Sequence, residues 1–234
     1  MSKLPLFSME LLDTNPALID EKRIFRMHAL LMALLLTAAP EAEKREYRVF
    51  VDGKPAGVYK VSISPQPDGS IVETGQADVS VQVLLKTVTY AYRGTETWKD
   101  GRLVKLESST NDDGKKFQVQ TAADGSSIRV TVNGKVHTVP ANVWATSHWF
   151  LPVDRRNGEI SRIDVDTGKL LSGKIQAVGR DHVTAVSQPI IATHYRITGA
   201  APADLWFDAA DRLVRQEAVE EGHKTILELI KLTR

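Results

Sequence analysis

The residues best suited to chemistry or ligand contact gather in one short irregular stretch. Between Pro140 and Pro152 stand Trp144, His148, Trp149 and Phe150, so two of the four tryptophans fall within six positions. Large aromatics in a segment without period can line the mouth of a barrel and grip a ligand. The same residues can equally form a plug that closes a barrel end as core. A second stretch, Val83, Leu84, Leu85, Val88, Tyr90 and Tyr92, is largely apolar and broken by Lys86. It reads either as the wall of an apolar cavity or as ordinary core. The candidate ligand-binding residues are therefore Tyr90, Tyr92, Trp144, His148, Trp149 and Phe150.

Catalytic and metal chemistry find little footing. Asp164-Val165-Asp166-Thr167-Gly168 starts like a calcium loop, but position twelve is Ile175 where a bidentate Glu is required. It reads as a β-turn. The six histidines (His28, His137, His148, His182, His194 and His223) include no helical ligand pair and no His-Glu-x-x-His. Ser147 and His148 are adjacent, and neighbouring strand side chains point to opposite faces. There is no Gly-x-Ser-x-Gly elbow and no phosphate-cradling glycine loop opening a helix. No catalytic residue, metal ligand or cofactor site is expected. The chain has no cysteine, which removes disulfides, thiolate sites, thiol catalysis and a lipidated-cysteine anchor.

The elements that would position these residues are strands. Asp-Gly occurs at 52–53, 68–69, 100–101, 113–114 and 124–125, and Asn-Gly at 133–134 and 157–158. Such dipeptides tolerate the positive φ that tight antiparallel turns need. Between them the pattern alternates: Val79, Val81 and Val83 against Asp78, Ser80 and Gln82, and Ile128, Val130 and Val132 against Arg129 and Thr131. Period two with one apolar face describes half-buried strands. Strands are expected at 46–52, 57–64, 70–83, 86–98, 102–110, 115–122, 127–133 and 135–139. After the aromatic stretch, 140–156, more follow at 160–165, 170–178, 182–187, 190–198, 204–208, 212–220 and 224–232. The segment from His223 to Leu232 fits a short helix nearly as well as a strand; strand is preferred because a Gly turn precedes it. Leu205 and Phe207 are placed on one face of their hairpin and Trp206 on the other. The fold class is all-β: an antiparallel meander forming a barrel or strongly curved half-barrel, since so many twisted strands do not stay flat. A two-sheet sandwich is the alternative.

The first 39 residues read differently. Ala29 to Ala39 are almost wholly apolar and end in small residues, with Lys22, Arg23 and Arg26 before them and Pro40 after. A basic flank, a short apolar core and a small-residue end describe a secretory signal, and the run is shorter than the roughly 20 residues a membrane span needs. Met1 or Met27 serves as the start, and an amphipathic helix packed on the domain is the alternative. Residues 1–39 are thus an extension with a signal-like segment, and 40–234 a single β-rich domain without a stable membrane span after processing. Export without disulfides points to a periplasmic or secreted bacterial protein. A net charge of +1 and no basic cluster speak against nucleic acid as a partner.

Three stretches carry a resemblance. Tyr47-Arg-Val-Phe-Val-Asp52-Gly-Lys-Pro-Ala-Gly57, Glu96-Thr-Trp98-Lys-Asp-Gly-Arg-Leu-Val-Lys-Leu-Glu107, and Asp204-Leu-Trp206-Phe-Asp208 followed by Arg212-Leu-Val resemble hallmarks of an exported proteobacterial β-rich family classed as a domain of unknown function. More distantly the pattern is similar to periplasmic lipoprotein carriers, open barrels around an apolar cavity. The resemblance implies a β-barrel-like fold and no catalytic residues. Three functions compete: a soluble barrel holding a hydrophobic small molecule or lipid, an envelope interaction protein without a small ligand, and a hydrolase whose residues meet only in space.

Overall fold

The computed structural model describes residues 41–83, 86–220 and 222–234. The signal-like segment, both candidate starts, Leu84 and Leu85 lie outside the described residues. Fifteen strands form one sheet: β1 (Glu43–Val51), β2 (Lys54–Pro65), β3 (Ile71–Val83), β4 (Lys86–Lys99), β5 (Arg102–Asp112), β6 (Lys115–Asp124), β7 (Ser127–Val132), β8 (Lys135–Pro140), β9 (Trp144–Ala145), β10 (Gly158–Ile163), β11 (Leu170–Ala185), β12 (Gln188–Gly199), β13 (Ala203–Phe207), β14 (Leu213–Glu220) and β15 (His223–Thr233). Among the described residues the helical content is a single 3-10 turn, Val153–Arg155.

The sheet runs β8 to β1, passes to β15, and continues down to β9. Every pairing is antiparallel except the two-residue contact of β9 with β10. The first and last strands therefore meet in the middle, and the sheet ends are β8 and β9, which are neighbours in sequence. The sheet does not close. It curls so far that its β9 end lies inside its own wall: Ser108 on β5 donates to the Val165 carbonyl at 2.5 Å, and Arg45 on β1 donates to the Trp149 carbonyl at 2.5 Å. At the other side the tip of the long β11–β12 hairpin returns to β15, where Val186 N–H donates to the Leu229 carbonyl at 2.8 Å. The arrangement is an open spiral, on the curved side of the sequence expectation and not a sandwich.

Local chemistry explains the elements. At Asp52-Gly53, Asp100-Gly101, Asp113-Gly114 and Asn133-Gly134 both residues have positive φ, the turn geometry that matches the twist of paired strands. The His223–Thr233 segment is a strand, because both its edges are taken by β1 and β14. One expectation is corrected: 170–178 and 182–187 are a single strand, β11. The residues Gly179-Arg180-Asp181 form no turn, and the register shift between Ala177 and Gly179 against β12 absorbs one extra residue as a bulge. Trp206 is on the opposite face from Leu205 and Phe207 as expected, yet it is also buried. It is covered by His194, whose ring stacks on it at 4.3 Å, and by the Arg215 guanidinium.

One continuous core fills the inside of the spiral. Tyr47, Val61, Leu106, Val119 and Val130 from the outer wall meet Trp144, Leu151, Ile163, Val165 and Ile175 from the inner turn.

Candidate binding groove and the buried acids beneath it

The two faces of the β1–β6 wall carry different chemistry, and the register places both around one pair of glycines. Gly75 on β3 stands opposite Gly94 on β4, and the row continues through Val61 and Arg45 on one side and Ser108 and Val119 on the other. Glycine inside a strand marks a bend or a close approach. Here it allows two tyrosines to fold over the backbone. A Cβ on Gly94 would lie 2.0 Å from the Tyr92 hydroxyl oxygen, and one on Gly75 would lie 3.0 Å from that of Tyr59.

On the outer face, the backbone of this row floors a groove of about 730 Å³. Two rows of side chains wall it, one residue to either side along each strand. The first begins Lys231, Glu46, Lys60 and continues through Gln76 and Arg93 to Ser109 and Gln118. The second begins Thr233, Lys44, Ser62 and continues through Thr74 and Thr95 to Glu107 and Gln120. Seven strands at about 4.8 Å spacing give a groove about 29 Å long, running across the strands. Arg93 is committed to a bidentate pair with Asp78 at 2.9 Å, and Glu107 to Lys105 at 2.8 Å. Among the described residues Lys44, Lys60 and Lys231 form no ion pair.

On the inner face beneath the glycines lies a pair of buried acids. Glu73 and Glu96 are directly opposite across β3 and β4, each 0% exposed. Like charges so placed repel. Glu96 Oε2 accepts the indole N–H of Trp98 at 2.7 Å and of Trp149 at 3.2 Å. The Ser147 hydroxyl lies close to the same carboxyl. It makes no hydrogen bond of proper geometry, so Ser147 Oγ, Glu96 Oε1, both oxygens of Glu73 and the Tyr92 hydroxyl have no partner among the described residues. Burial pushes the Glu73 carboxyl well above the usual range, the neighbouring Glu96 adds to this, and Arg45 offsets part of it. Burial also raises Glu96, against the two indole donors and the nearby Ser147 hydroxyl, which lower it. In both, desolvation favours the protonated form of the acid. A third acid, Asp166, is raised to about 6 by burial, although Tyr90 and Thr110 donate to it at 2.7 and 2.8 Å.

The candidate residues Tyr90, Tyr92, Trp144, His148, Trp149 and Phe150 lie inside the spiral, in two groups. Trp144, His148, Trp149 and Phe150 belong to the inner turn. Trp144 packs edge-on against His148, and Phe150 edge-on against Trp98. Arg162, which can only donate, faces His148 Nε2 at 3.4 Å, so Nδ1 carries the proton and donates to Gln216 at 3.2 Å. Burial and the Arg162 charge depress this imidazole to about 3. Tyr90 and Tyr92 are on the wall, Tyr90 tied to the Asp164–Gly168 turn and Tyr92 above the acids. That turn is built by Asp164 itself, whose carboxylate takes Asp166 N–H and the Thr167 hydroxyl. His194 sits between Asp204 at 2.7 Å and Asp181 at 3.1 Å. Among the described residues no serine or threonine hydroxyl is bonded to a histidine, and no cluster of three or more His, Asp or Glu is arranged to hold a metal ion. The groove and the acid pair were not singled out from the sequence. The one available signal was a lone Gly within each of two long strands; their alignment depends on register.

This geometry defines an all-β protein built as a single unclosed meander with a polar outer groove. The chain belongs to a family described as a domain of unknown function, DUF6134, whose model matches residues 47–230. Its fold is similar to the crystal structure of a β-barrel-like protein of domain of unknown function DUF1849 from Brucella abortus. The TM-score is 0.61 at 9% identity, over 82% of this chain and 96% of that one. No curated protein matches the sequence. Among the described residues no helix is long and apolar enough to cross a membrane.

Proposed function

We propose that the protein is an exported, non-catalytic binding module of the bacterial envelope that holds an extended polar partner in the outer groove. The observation that carries this is the groove itself: about 730 Å³, walled by two complete rows of polar side chains over a floor of strand backbone centred on Gly75 and Gly94. Export rests on the basic-flanked apolar segment Ala29–Ala39 and fits the absence of cysteine. An apolar ligand among Tyr90, Tyr92, Trp144, His148, Trp149 and Phe150 draws less support, because these side chains contact one another or the wall. Backbone groups in the floor are already paired within the sheet, so a partner cannot add as an extra strand and must be read by side chains.

The test is site-specific photo-crosslinking in cells that export the full chain. A photoreactive residue at position 74 or 118, both in the groove walls, is expected to give a defined adduct; one at position 136, exposed on the β8 edge, is not. Equal labelling at all three positions, or none, would refute the groove as the binding site.

A further inference from the structure

We infer that the partner is a linear acidic glycan, a chain of hydroxylated sugars bearing carboxylate or phosphate groups; this rests on the groove being the binding site. The groove has two chemically distinct ends. Over β15, β1 and β2 it presents Lys231, Lys44 and Lys60, none of them in an ion pair among the described residues, against the single acid Glu46. Strongly hydrated ammonium groups of this kind act as point charges for carboxylate or phosphate without selecting between them. Over β3 to β6 the cations that remain are neutralised, since Arg93 is held by Asp78. There the walls offer Gln76, Gln118 and Gln120 together with Thr74, Thr95 and Ser109, and the one acid, Glu107, is held by Lys105 at 2.8 Å.

An amide supplies donors and an acceptor side by side, and a hydroxyl is both. These are the groups that pair with sugar hydroxyls, which also donate and accept. Other anionic partners fit less well. Single-stranded nucleic acid is held by aromatic platforms beneath the bases, and no aromatic residue lines the groove. Protein partners are anchored by Trp, Tyr and Arg in dry pockets, and the one arginine among the outer walls is already paired with Asp78. A lipid needs apolar wall for its chains, and the outward side chains here are polar or charged. A groove about 29 Å long with an open cross-section suits an extended chain.

Binding of the purified full chain to oligosaccharides by calorimetry tests this. The probes are an oligogalacturonate for carboxylate, a sugar-phosphate oligomer for phosphate, and a neutral malto-oligosaccharide. At least one acidic probe is expected to bind tenfold or more tightly than the neutral one at low salt, with affinity falling as salt rises. The double variant K60E/K231E should lose tenfold or more, and T74W, which fills the groove midway, should abolish binding. All three side chains are exposed, and unchanged thermal melts verify that the variants fold. Neutral and acidic probes binding equally, or acidic binding untouched by K60E/K231E, would overturn the proposal. A crosslinked adduct at position 74 that proves to be protein would overturn the glycan while leaving the groove as the binding site. No adduct at all would remove both.

Discussion

Replacing Glu73 with glutamine should stabilise this protein at neutral pH and flatten its dependence on pH. Glu73 has no exposure, its two oxygens have no partner among the described residues, and another buried acid faces it across the strand pair. Its carboxyl is raised well above the ordinary value of 4.5. The folded chain therefore holds this proton where the unfolded chain releases it, so this group's contribution to stability is greatest below about 4.5 and falls as pH rises toward the folded value. One such group changes stability by up to about 1.4 kcal/mol per pH unit inside that window. Across that window the loss attributable to Glu73 is therefore on the order of 1–2 kcal/mol. The E73Q side chain keeps the shape, cannot ionise, and adds two donors beside atoms that lack them. For a chain of this size each kcal/mol moves the melting temperature by about 2–4 °C. E73Q should thus melt several degrees above the parent at pH 6.5, with the gap narrowing as pH falls toward 4.5. Urea denaturation and calorimetric melts across that range are the assay. An E73Q protein less stable than the parent at pH 6.5, or one with an undiminished pH slope, would refute the reasoning that burial raises this carboxyl.

The remaining predictions concern single contacts. Trp149→Phe removes the indole donor to Glu96 and should cost about 1–2 kcal/mol in urea unfolding, and Glu96→Gln on that background should cost less than in the parent. Gly94→Ala places a methyl 2.0 Å from the Tyr92 hydroxyl oxygen; the ring must swing away, with a loss of about 1–3 kcal/mol and an altered near-ultraviolet circular dichroism signal. Asp166→Asn should flatten the stability profile between pH 3.8 and about 6, the span over which its carboxyl is raised, as read from the same melts. His194→Ala uncovers the indole stacked beneath it, so acrylamide should quench an added component of tryptophan fluorescence, and that component should vanish in His194→Ala/Trp206→Phe.

Much of the architecture could be read from the sequence because it is set by local rules. Four of the Asp-Gly and Asn-Gly dipeptides have positive φ at both residues, as their hairpins require, and alternation identified the inward residues of strands such as β7, where Ile128 and Val130 are buried. The misread region shows the limit: Gly179 looks like punctuation, but a bulge can carry the same residue within a continuous strand, and cross-strand pairing decides which occurs. The ambiguous last segment became a strand for a similar reason, since its two edges meet β1 and β14. The candidate residues around Trp144 and Trp149 were conspicuous by type. Sequence left open whether they line a cavity or fill one, because that depends on what lies opposite.

The sequence alone determined the repeating strand-turn grammar, the inward and outward faces, and the absence of thiol chemistry, because turn conformation and period-two burial act over a few residues. Tertiary structure decided the rest. Only the register aligns Gly75 with Gly94 and Glu73 with Glu96, residues some twenty positions apart, and only the curl of the sheet brings Trp149 beneath them. Long-range pairing is a collective choice of the whole sheet, so the groove above those glycines and the acids below them exist in no single stretch of chain.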